Sequence, residues 1–173
     1  MILESLTTSR IPRSLRWGIA LLLGNLAMAF TFSSQASLWL VVMYATLMVH
    51  TAGAMPFFSP IISLDHGVLK ANLFGIGVIY GLLAWSLHNP IQFFLLAAVL
   101  FFWAAICYRI VFRLIPRKKF REKIRIDAMG GVCAIAVMTG IYFGHTAVAL
   151  PIVAIAYLLV TIGMLWVQPY YRE

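Results

Sequence analysis

Charge is what this chain lacks. Lysine, arginine, aspartate and glutamate together make up 10% of 173 residues, and only 5 are acidic, where a soluble domain carries roughly 25%. With 63% of the residues hydrophobic, a water-soluble fold would have too little polar side chain to cover its surface, so soluble classes are excluded. Cysteine is as scarce: Cys107 and Cys133 are the only two, both in apolar segments, which argues against a disulfide framework. Histidine numbers 4, and no pair of His, Cys, Asp or Glu stands at ligand spacing on a helix, so no metal site is expected. Haem needs two histidines on facing helices at similar depth. Here only His50 falls within an apolar run, so no cofactor is expected. No nucleophile sits beside a base, and an enzyme is not expected.

What is present is apolar sequence in lengths that match a bilayer. A crossing helix needs about 20 such residues, and six runs qualify or nearly so: 17–32, 38–58, 72–87, 91–115, 128–144 and 148–167. The first and fifth are short, and tilt or bilayer thinning makes up their length. The expectation is an all-α, polytopic membrane protein, residues 1–173 forming a single transmembrane domain. The opening "MILESLTTSRIPRSLRW" leads into an apolar run with no small-x-small cleavage site, and reads as a retained first helix. "SLRWGIALLLGNLAMAFTF" and "KIRIDAMGGVCAIAVMTGIYF" echo each other faintly, each a basic lead-in to a short, small-residue helix; duplication and chance similarity both remain open.

The connections alternate in kind. "SSQAS", "HNP" and "HTA" carry no formal charge, whereas the opening stretch, residues 59–71 and residues 116–127 are charged. Six helices with both termini on one side collect all 13 lysines and arginines on that side, which the positive-inside rule makes cytoplasmic. The acidic residues collect there too, leaving no fixed charge at the middle of a span. The basic loop 116–127 admits three readings: a nucleic-acid arm, a headgroup patch, or a topology signal. Tethered at both ends and carrying only Phe120 among its aromatics, it does not suit nucleic acid. Arg117, Lys118, Lys119, Arg121, Lys123 and Arg125 suit anionic lipid headgroups. Trp39, Trp85 and Trp166 lie near span ends, where aromatic rings anchor at the interface.

Polar residues inside the spans are few, and each is costly in lipid unless it faces other helices or a cavity. Asn25 and His50 are therefore the primary candidates for a substrate path, joined by Thr51 and Gly53 in "LMVHTAGAMPFF". Imidazole titrates near neutral pH and can relay protons; a histidine satisfied by a neighbour is the plainer option. Gly53 and Pro56 either open the helix toward a cavity or simply end it. Gly77 and Gly81, four apart with Gly75 nearby, have the small-xxx-small spacing that lets helices approach closely. Gly130 and Gly131 suit the same use.

Three stretches carry a resemblance: the Arg-led "RIPRSLRWGIALLLGNLAMAF", "ASLWLVVMYATLMVHTAGAM" opening on Trp39, and the Gly-rich "LKANLFGIGVIYGLLAW". Over residues 10–90 the chain resembles the membrane domain of the fusaric-acid-resistance and aromatic-acid-exporter family. That resemblance implies a bacterial inner-membrane efflux component for small organic or aromatic compounds, assembled as a homo-oligomer or with a membrane-complex partner. A non-catalytic subunit or scaffold of a larger membrane complex is the alternative, supported by the lack of charge within the spans.

Overall fold

The computed structural model describes residues 37–58, 67–116 and 118–167. The first expected span, 17–32, and with it Asn25, lies outside the described residues, as does Arg117. Among the described residues the chain is helical, with no strand. In order the helices are α1 (Leu38–Phe58), α2 (Gly67–Trp85), α3 (Pro90–Leu114), α4 (Lys118–Tyr142) and α5 (Thr146–Ile162). A 3-10 turn, Ser86–His88, extends α2, and a π turn, Gly163–Val167, extends α5. Among the described residues, four helical stretches are long and apolar enough to cross a membrane: Lys70–His88, Pro90–Leu114, Lys118–Tyr142 and Thr146–Leu165. The corresponding part of α1, Leu38–Ala54, is shorter.

Local chemistry sets the hairpins. Asn89 caps α3 through its side-chain oxygen, which accepts from the Gln92 N–H at 3.2 Å, and Pro90 follows at the first helical position, where its missing N–H costs nothing. At the far end of α3, Ile115 returns its N–H to the Val111 carbonyl at 2.8 Å, and Pro116 cannot extend the helix. The α4–α5 connection turns on Gly144, whose φ of 90° is open to glycine at little cost. Its N–H donates to the Ile141 carbonyl at 3.0 Å and that of His145 to the Gly140 carbonyl at 3.1 Å, the paired bonds of a Schellman cap.

Two expectations are corrected here. Residues 118–127 are not a loop: α4 starts at Lys118, ten residues before the expected 128. Lys, Arg and Glu are strong helix formers, Lys118 and Glu122 pair at 3.8 Å one turn apart, and only Pro116 interrupts the helix. Likewise α2 starts at Gly67, inside the stretch expected to be a loop to residue 71.

Successive helices run antiparallel, which leaves α1 and α5 parallel and side by side. The most extensive seam joins α3 to α4. Phe93, Ala97, Leu100, Ala104, Cys107 and Val111 are buried along α3, in the alternating steps of four and three that define one helix face. On α4, Phe120, Asp127, Ala134 and Ile141 are buried at intervals of seven. Glycines let the backbones close in: a Cβ on Gly130 would stand 2.8 Å from the Phe101 ring, and one on Gly131 2.7 Å from Phe102. The main core gathers Tyr44, Leu47, Tyr80, Leu83, Phe94 and their neighbours from all five helices. A smaller cluster of Ala54, Val111, Phe120 and Leu165 lies toward the end where α3 passes into α4.

Candidate functional site

Between those two apolar clusters lies a polar layer. Along α1, His50 and Thr51 follow Leu47 and Met48 of the main core and precede Ala54 of the smaller one. Along α4, Lys123 and Asp127 fall between Phe120 and Ala134 in the same way. Tyr157 and Thr161 on α5 separate Ala154 from Leu165. Helix packing thus brings three short polar stretches, distant in sequence, to one depth.

The α4 contribution is a charged pair. The Lys123 ammonium donates to Asp127 Oδ1 one helical turn away, and the two residues are only 7% and 1% exposed. Asp127 Oδ2 is buried with no hydrogen-bond partner among the described residues. Lys123 Nζ stands 5.6 Å from the centre of the Tyr108 ring, within cation–π range. The Tyr108 ring in turn stacks on Phe120 with centroids 6.1 Å apart. Asp127 lies nine residues into α4, about 13 Å along the axis at the usual helical rise. Both charges lie within the first ten residues of α4, toward the basic end, in a helix where residues 116–127 were expected to form a loop. Lys123, expected at the headgroups, points inward because it shares the face of Phe120 and Asp127.

His50, 6% exposed, occupies the neighbouring position on α1. Its ring lies 6.1 Å from that of Tyr157 on α5. Thr51 is committed to helix pairing. Tyr80 Oη on α2 donates to the Leu47 carbonyl at 2.8 Å and stands 2.6 Å from Thr51 Oγ1. A phenol has one proton, already given to Leu47, so Thr51 is the donor of the second bond. Tyr44 packs edge-on to Tyr80 with centroids 5.9 Å apart, and Thr46 spends its hydroxyl on the Val42 carbonyl at 2.8 Å.

Two of the glycine candidates stand at close helix contacts. A Cβ on Gly53 would fall 2.7 Å from Leu165 Cδ1, so this glycine is where α1 meets the π turn after α5. One on Gly75 would fall 2.5 Å from the Trp103 ring, bringing α2 against α3. Gly77 and Gly81 are half-buried on α2. Lys118, Arg121 and Arg125 are exposed on the outer face of α4, and Lys119 is half-buried. Among the described residues no group of three His, Cys, Asp or Glu is placed to hold a metal ion. Both cysteines are free thiols, Cys107 buried and Cys133 exposed.

Sequence reading did not single out Asp127 or Tyr157, assigned Lys123 to the headgroups, and counted Tyr80, Tyr108 and Thr161 only among the few polar residues of the spans. One signal was available for the pair: the seven-residue interval Phe120, Asp127, Ala134, Ile141 continues the buried face of α4 back into the basic run. Together, fold and site define a multi-helix protein with membrane-length apolar helices and an ion pair enclosed among them. Comparison with family models, with curated proteins and with solved structures finds no match.

Proposed function

We propose that the chain is a transporter-type protein of the bacterial inner membrane that moves small organic or aromatic compounds, as its resemblance to aromatic-acid exporters implies. The observation that carries this reading is the enclosed Lys123–Asp127 pair, in a layer that His50 and Thr51 share. An ion pair inside a helix bundle contributes little to stability, because its desolvation offsets its attraction; apolar residues of similar size do as well or better. Ionisable groups within membrane helices line substrate or proton paths as a rule. A scaffold has no need of one.

In this reading Ala54, Val111, Phe120 and Leu165 form the apolar plug between the polar layer and the basic end, and transport requires that plug to part. The basic end faces the cytoplasm by the positive-inside rule, with six helices and both termini on that side. Lys118, Lys119, Arg121 and Arg125 contact anionic headgroups there, and copies of the chain assemble in the bilayer plane. The test is flux from vesicles reconstituted with purified protein and loaded with a panel of aromatic and aliphatic acids, amines and neutral compounds. Release faster than from protein-free vesicles, cut at least about tenfold by His50→Ala or Asp127→Asn, is expected. Flux equal to that of empty vesicles across the panel, with stoichiometric partners in a pull-down, would return the scaffold.

A further inference from the structure

Within the enclosed cluster the formal charges sum to zero. Lys123 and Asp127 are the only buried members of the Lys, Arg, Asp and Glu set among the described residues. Of the titratable groups in the same layer, Tyr108 from α3 faces Lys123, His50 from α1 lies against Tyr157 of α5, and Tyr80 from α2 is bonded to Thr51. A site out of water resists any change of net charge. An anion alone would leave it negative, and a proton alone would leave it positive. The two together leave it neutral.

The basic end decides the sign of the ligand. Arg109, Arg113, Lys118, Arg121 and Arg125 are exposed there, faced among the described residues by one outer carboxylate, Glu122, itself paired with Lys118. Such a field concentrates small anions and repels cations. The stacked Tyr108 and Phe120 rings beside Lys123 Nζ select an aromatic body next to the anionic group. Asp127 Oδ2, buried and without a hydrogen-bond partner among the described residues, is the acceptor for the proton.

We propose that the Lys123–Asp127 pair binds one proton and one small aromatic anion together. The proton goes to Asp127, whose bond to Lys123 is released, and the anion takes the carboxylate's place on the ammonium; no other bond changes. The inference rests on the transporter reading and deepens it: the chain carries weak aromatic acids with a proton in the same direction. Efflux then runs down the acid's own gradient and slows when the outside is acidified.

Benzenesulfonate is the probe, because it stays anionic at all working pH values and any proton that moves belongs to the protein. Wild-type protein in weakly buffered vesicles of zwitterionic lipid, which supply no lipid anion, should take up about one proton per bound sulfonate. Under a clamped membrane potential, sulfonate and protons should move in the same direction. Asp127→Asn should bind sulfonate at least about tenfold more tightly, since Lys123 then has no resident partner, and should lose the proton uptake. Lys123→Met combined with Asp127→Asn should lose sulfonate binding. Proton release on binding, opposite fluxes, or no sulfonate binding while other solutes are carried would overturn this inference and leave the transporter reading intact. Absence of flux for every solute would overturn both. The wild-type uptake measurement decides the matter even where a variant fails to fold.

Discussion

Removing one member of the Lys123–Asp127 pair strands the other as a buried charge, so Lys123→Met and Asp127→Leu should each cost about 3–5 kcal/mol of stability. The double substitution should recover to within about 1 kcal/mol of wild type, because two apolar side chains need neither water nor each other's charge. Unfolding titrations in mixed detergent micelles measure both, and flux from the same preparations should be lost in the stable double variant. Tyr80 is the other residue whose chemistry is legible from its partners. Tyr80→Phe removes the donor to the Leu47 carbonyl and the acceptor for Thr51. It should cost about 1 kcal/mol, in the range of hydrogen bonds between membrane helices. Thr51→Val should add little on the Tyr80→Phe background, since both substitutions break the same link; a double-mutant cycle tests that.

Among the helices, α3 and α4 depend on each other most. Their seam closes because Gly130 and Gly131 admit the rings of Phe101 and Phe102. Gly131→Leu should therefore cost about 1–3 kcal/mol through overpacking. Gly140, in the same helix, has nothing within 4 Å of its would-be Cβ, so Gly140→Ala should be neutral or stabilising by up to about 1 kcal/mol from helix propensity. The contrast, read from thermal unfolding, separates glycines that pack from glycines that merely occur in a membrane helix. The first turns of α4 show how one short run serves two faces: Lys118, Arg121 and Arg125 outward, Phe120, Lys123 and Asp127 inward.

At the scale of the whole molecule, antiparallel succession sends the hairpins at Asn89 and Gly144 to one end and the α3–α4 turn to the other. Under the proposed topology, in a background with both cysteines changed to Ser, a membrane-impermeant maleimide should label His88→Cys and His145→Cys in intact cells. Arg121→Cys should react only after permeabilisation. The reverse pattern would invert the proposed orientation. The enclosed site exists only at this scale, because all five helices supply a part and none holds it alone.

Composition and hydropathy determined the helical, membrane-length architecture, because apolar length and charge spacing are local properties that a single segment reveals. The short uncharged turns "HNP" and "HTA" were legible on the same terms. His50 was legible as costly, but not what it would meet. Only the tertiary structure decided that Lys123 and Asp127 belong to the interior. In a basic run every lysine looks alike, and which one is buried depends on the helix face that α3 covers. It also decided that Thr51 and Gly53 hold helices together, since a hydroxyl 29 positions from its partner and a close approach to Leu165 come from packing that no sequence interval records.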